Sequence, residues 1–100
     1  MTDEMAAWFT ARTQGAPEQL RVASEEWWHA ASGDATGPRL ADAGRLALDA
    51  AIAAGSSRDA ALDLLAADAL VTLALLAEAE ADPIALWSRA AELRAAVMPG

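Results

Sequence analysis

Apolar positions recur every three to four residues along this chain, and polar or helix-breaking residues cut the recurrence into five segments. The first is predicted from about Thr2 to Gln14: Thr2 is placed to cap, Asp3 and Glu4 fall in the first turn, and Gly15 ends it. Met5, Trp8, Phe9 and Arg12 share one side at helical spacing. The second opens on Pro17, which suits a first helical position because its missing N–H would have no partner there, and closes at Gly33. Its predicted inner line is Leu20, Ala23, Trp27 and Ala30 or Ala31. Gly33 to Pro38 reads as a turn.

The third segment covers roughly Pro38 to Ala54, ended by Gly55. Leu40, Ala43, Ala47, Ala50 and Ala54 form its expected buried line, and Gly44 lets a neighbouring helix come close. Asp42, Arg45 and Asp49 stand three and four apart on the opposite side, the pattern of a solvated ion-pair ladder worth roughly a few tenths of a kcal/mol per pair. The fourth segment begins at Ser56 or Ser57 and extends to Ala81. It starts with Arg58, Asp59 and Asp63, then turns apolar on every side from Leu64 to Ala77. Leu64, Leu65, Leu70, Val71, Leu73, Leu75 and Leu76 cannot all face one neighbour, so this helix is expected at the centre of a bundle or buried between copies. Asp82-Pro83 caps and starts a fifth helix, with Ile84, Trp87, Ala91, Leu86, Leu93 and Val97 expected inward and Met98-Pro99-Gly100 as its stop. No strand pattern, low-complexity tract or internal repeat competes. The expectation is a single all-α domain over residues 1–100, a four- to five-helix bundle that is oligomeric.

Composition sharpens that last point. One hundred residues support one core. Apolar residues make up 55%, yet much of this is alanine, and the aromatics are four Trp and one Phe. Such a core brings helices close but buries little surface per residue, so association with further copies of itself is a physical expectation. A net charge of −8, with seven scattered Arg and no Lys, argues against DNA or RNA as partner and disfavours anionic membranes. The apolar stretch Ala69 to Ala77 is too short to span a bilayer and follows Asp68. Met-Thr-Asp-Glu-Met lacks the positive lead of a signal peptide, which points to the cytoplasm. Without cysteine there is neither a disulfide framework nor a thiolate metal site. An alanine-rich, arginine-only chain also fits a GC-rich bacterial source.

Candidate chemistry gathers in Ser24-Glu25-Glu26-Trp27-Trp28-His29-Ala30. Glu25 and Glu26 lie four and three residues before His29, so both can flank the imidazole and favour its protonated form. Trp27 continues the inner line; Trp28 points about 100° further round and must cover a second element, a partner copy or a ligand. Asp68 sits among Leu64, Leu65, Val71 and Thr72, where a carboxylate must be paired, protonated or bound to a cation. One reading has it hydrogen-bonded to Thr72 or capping a neighbour; the other makes it a metal ligand or general base. Facing the Glu25–Glu26 pair, it would complete an oxygen-rich pocket suited to Mg²⁺. Alternatively, the two glutamates are surface acids beside a solvated histidine.

The run Ala67 to Ala77, followed by Glu80-Ala81-Asp82-Pro83-Ile84-Ala85-Leu86, resembles the second half of the MazG-like all-α nucleoside triphosphate pyrophosphohydrolases. That family carries Glu-Glu-x-x-Glu on one helix and Glu-x-x-Asp on a later one, before a Leu-Gly-Ile-Asp-Pro-like turn. Glu25 and Glu26 match the first two acids and Asp68 the last, while His29 and Leu65 stand at the other two. The phosphate-binding Asn and Lys of the final helix fall near Ala90 and Glu92, leaving Arg89 and Arg94 as cations. The resemblance thus implies Mg²⁺ on Glu25, Glu26 and Asp68, a catalytic or assisting His29, and a nucleotide held by Trp28, Arg89 and Arg94. Two functions follow: a divergent Mg²⁺-dependent nucleotide pyrophosphohydrolase with weak or lost activity, or a non-catalytic helical module for self-association or partner binding.

Overall fold

Caps and turns place five helices close to where the polar punctuation sets them. The structure, a computed structural model, describes the backbone of residues 1–97 and their side chains apart from those of residues 85, 86, 89, 93, 96 and 97. The helices are α1 (Asp3–Thr13), α2 (Glu18–Ala30), α3 (Thr36–Ala54), α4 (Arg58–Ala81) and α5 (Pro83–Val97), with no strand among the described residues. The fold is an all-α helical bundle. Thr2 Oγ1 accepts from the Met5 N–H at 3.2 Å and Ser57 Oγ from the Ala60 N–H at 3.0 Å, each satisfying an otherwise orphaned donor. α3 starts at Thr36 rather than Pro38, because a proline in the first turn removes an N–H that has no helical acceptor. α2 stops at Ala30: Ala31 is already extended, and its N–H donates back to the Trp27 carbonyl at 3.0 Å. Gly33 then turns the chain at φ 145°, and a Cβ there would lie 2.9 Å from the Arg39 backbone. That position requires glycine.

α3 and α4 form an antiparallel pair that organises the molecule. Gly37 faces Ala74 and Glu78, and Gly44 faces Ala67 and Val71, so the register advances down one helix as it climbs the other. Buried along the pair are Leu40, Ala43, Gly44, Ala47 and Ala51 of α3 and Ala60, Ala66, Ala67, Leu70, Ala74 and Ala77 of α4. A Cβ on Gly44 would stand 2.9 Å from Val71 Cγ2, the close approach expected of that glycine. The buried line leaves the expected course at its end: Ala51 is buried, Ala50 half-buried and Ala54 exposed. Ala43, Ala47 and Ala51 lie on one four-residue ridge, and ridges rather than mean periodicity pack into a neighbouring groove.

α2 lies against both α3 and α4. Its buried residues are Ala23, Ser24 and Trp28, with Leu20 and Trp27 half-buried; of the two alternatives at its end, Ala31 is buried and Ala30 exposed, so the inner line departs from the expected one at Trp28 in place of Trp27. α1 rests on the bundle through long side chains. Phe9 stacks on Trp28 with centroids 4.6 Å apart and planes 2° from parallel. Trp8 Nε1 donates to Glu80 Oε2 at 2.8 Å, and Arg12 pairs with the other oxygen of Glu80. α5 packs chiefly on α4. Ile84 is 79% and Trp87 77% exposed, and Ala91 is exposed too, correcting the inward placement expected for them. A terminal helix against one main neighbour has too little partner surface to cover two lines of apolar residues. The Leu86, Leu93 and Val97 side chains and the Met98-Pro99-Gly100 stop lie outside the described residues.

Candidate functional site

Trp28, expected to offer a face to a nucleotide base, is 1% exposed. Phe9 covers one ring face, and the Arg39 guanidinium lies 5.1 Å from the ring centroid. Of the alternatives open to this indole, covering a second element is the one realised, and no face remains for a base. Arg39 is the residue that sequence reasoning missed. It is buried, its Nε donates to the Trp28 carbonyl at 3.0 Å and its Nη2 to the His29 carbonyl at 3.4 Å. Both carbonyls belong to the last turn of α2, whose final C=O groups lack helical donors and carry the negative end of the dipole. The guanidinium therefore closes α2 and clamps Trp28 at once. A signal was present: Arg39 stands four residues before Ala43, on the same ridge as Ala47 and Ala51.

The expected metal residues are dispersed. Glu25 is half-buried and paired with Arg21 at 3.1 Å, one turn earlier on its own helix. Glu26 is exposed and borders a groove of about 590 Å³ between α2 and α4, with Glu18, Gln19, Arg58 and Asp59. On α4, the acid that meets the tryptophan helix is Asp63, whose Oδ1 accepts from Trp27 Nε1 at 3.3 Å. Asp68 is exposed and opens instead onto the groove between α3 and α4. Five residues along a helix turn the direction by about 140°, which carries Asp68 away from the α2 side. The expectation of an acid stranded among leucines is corrected: water reaches it, and Thr72 Oγ1 donates to its backbone carbonyl at 2.8 Å rather than to its carboxylate. Among the described residues no three His, Asp or Glu side chains come together as an ion would need. Glu25 and Glu26 lie on the α2 side of the bundle and Asp68 on the groove between α3 and α4, rather than in one cluster. His29 and Arg94 are exposed, and the Arg89 side chain lies outside the described residues.

The structure instead gathers the large aliphatic side chains that the alanine seam leaves over. Leu64, Leu65, Val71, Leu75 and Leu76 of α4 and Leu48 and Ile52 of α3 are all exposed, from 40% for Leu76 to 71% for Ile52. Leu64, Val71 and Leu75, at spacings of seven and four, share one line on the outer side of α4, and Leu64 and Leu65 lie beside Leu48 and Ile52. Between the helices lies an apolar groove of about 690 Å³ lined by Ala41, Gly44, Leu48, Leu64, Leu65 and Val71, with Arg45 and Asp68 on its two banks. Arg45 is fixed on α3 by Asp42 at 2.9 Å and Asp49 at 3.2 Å, the expected ladder. Asp42 also accepts from the Ser32 N–H at 2.9 Å. That backbone donor, and after it Arg45, hold its carboxyl below the usual carboxylate range, while hydrogen bonding to Asp42 raises the Arg45 guanidinium. α4 is also the one helix among the described residues long and apolar enough, by length and composition, to cross a membrane. Asp63 and Asp68 fall within it, and each acid opposes insertion by about 3 kcal/mol near the midplane. In comparisons with protein-family models, curated proteins and solved structures, none matches this chain.

Proposed function

We propose that this chain is a helical self-association module whose working surface is the outer face of α3 and α4. The observation that carries the reading is that Leu64, Leu65, Val71, Leu75 and Leu76 of α4 stand in solvent, the first three lining a groove with the exposed Leu48 of α3. Contiguous apolar patches of more than a few hundred Å² mark interaction surfaces. Each of these seven side chains is about half exposed. Completing its burial recovers about 1 kcal/mol, half the usual value for a large aliphatic side chain. Over both copies of a dimer the gross gain is about 14 kcal/mol, against an association cost of roughly 4–15 kcal/mol. A specific interface of this kind buries about 1,000 Å² or more of total surface. The gross gain is thus of the size needed to offset the association cost, and a second copy suits this face.

Sedimentation velocity across a concentration series tests the reading. The chain is expected to sediment as a dimer at micromolar concentration, and Leu65→Glu or Leu48→Glu as a folded monomer with unchanged far-UV circular dichroism. A wild-type monomer at high concentration, association unaltered by both variants, or partition into phosphatidylcholine vesicles in place of self-association would overturn it.

A further inference from the structure

We infer that two copies join with α3 of each laid over α4 of the other, and that Arg45 and Asp68 fix this arrangement by pairing across the interface. The inference rests on the self-association reading and adds to it the geometry and the residues that select it. Gly37 lies between Ala74 and Glu78, and Gly44 between Ala67 and Val71. Continuing that antiparallel register sets Arg45 level with Asp68 across the groove, and Leu48 level with Leu65. Asp68 belongs to one bank and Arg45 to the other, and both line the groove. No ion pair joins them within the chain: Arg45 Nη1 and Nη2 serve Asp49 and Asp42, neither of which lines the groove. A guanidinium carries five N–H donors, so capacity for another carboxylate is left.

Two face-to-face symmetries bring the aliphatic rows together. If the two-fold axis runs along the helices, α3 of one copy covers α4 of the other at the same level. Arg45 then meets the second copy's Asp68 twice, and Leu48 meets Leu65. If the axis runs across the helices at the level of the charged pair, α4 covers α4, Asp68 opposes Asp68, and Arg45 opposes Arg45. Like charges meeting in a partly desolvated contact are disfavoured, whereas complementary ones set register and partner choice. The one carboxylate lining the groove, opposite Arg45, thereby acquires a role: it discriminates between two packings that bury similar apolar area.

The chain contains no cysteine, so introduced thiols report the arrangement directly. Copper-phenanthroline oxidation of a mixture of Leu48→Cys and Leu65→Cys chains is expected to yield a mixed covalent dimer. A mixture of Leu65→Cys and Val71→Cys chains is expected to yield little, because those positions face each other only in the rejected packing. Asp68→Arg is expected to weaken dimerisation about tenfold or more, and Asp68→Arg combined with Arg45→Glu to recover most of the loss. A wild-type monomer removes the self-association reading itself. A wild-type dimer that crosslinks through residues 65 and 71, or that is unchanged by Asp68→Arg, leaves that reading standing and overturns this one.

Discussion

Removing the Arg39 guanidinium tests whether the buried cation holds the bundle together at the end of α2. In Arg39→Ala the buried Trp28 carbonyl loses its 3.0 Å donor, and the loss of such a charge-assisted bond costs about 1.5–3 kcal/mol. The His29 carbonyl, bonded at 3.4 Å at a partly exposed point, passes to water at little cost. Loss of the cation over the Trp28 ring adds about 1 kcal/mol. The dipole term acts through the same contacts and is not counted twice. The expected destabilisation is about 3 kcal/mol, a large share of the roughly 5–15 kcal/mol typical of a domain. With a urea slope of about 1–2 kcal/mol per molar, the midpoint falls by about 1.5–3 M. Arg39→Lys keeps the charge but loses the planar fork, and about half the effect is expected. Arg39→Met keeps an apolar stem against the indole and is expected to fall between Lys and Ala. Urea titrations followed by tryptophan emission and circular dichroism, all at one protein concentration so that any linkage to association is held fixed, measure this series. Arg39→Ala within about 0.5 kcal/mol of wild type, or Arg39→Met as stable as wild type, would refute the clamp.

Glu80 is held below the usual carboxylate range by the Trp8 indole N–H first and by Arg12 second. A depressed folded-state value means that its contribution is complete above the unfolded value of about 4.3 and fades as pH falls through the folded one. In Glu80→Gln the acid-induced release of α1 below about pH 4 is therefore expected to lose its dependence on pH. Coincident acid transitions by tryptophan emission would exclude Glu80 as the clasp. Gly33→Ala, with a positive φ and a Cβ set 2.9 Å from the Arg39 backbone, is expected to cost about 2 kcal/mol or more by urea titration. Stability equal to wild type would show that the α2–α3 turn adapts freely.

Much of the architecture is legible in local chemistry. Thr2 and Ser57 announce helix starts through the side-chain oxygen each offers to a backbone donor. Gly44 announces the close helix pair because nothing larger fits beside Val71. Side-chain direction is harder. Trp27 and Trp28 are adjacent and equally apolar, and choosing between them needs the partner: Phe9 waits on α1 for Trp28, whereas Trp27 reaches Asp63 by its indole N–H. Arg39 escapes composition-based reasoning since a cation on an inner ridge is favourable only where the end of another helix supplies carbonyls. Asp68 misleads in the opposite sense. Its apolar sequence neighbours suggest burial, but they themselves face outward, and a sequence cannot say which side of an all-round apolar helix the bundle leaves uncovered.

The outward leucines follow from the seam. Alanine and glycine along the α3–α4 contact let the backbones approach, so the inner volume between these helices admits few large side chains beyond Leu40 and Leu70. The remaining bulk must go outside. α2 covers one flank and α1 is spread over Trp28 and Glu80, which leaves the groove with Leu48 and Leu65 open. A sequence selected to work as a single copy could exchange these leucines for polar residues without touching the seam, since none contributes to it. On the self-association reading, their presence on both banks, with one base and one acid level with each other, has a purpose: a copy related by a two-fold axis would supply to each bank what the opposite bank of its twin offers.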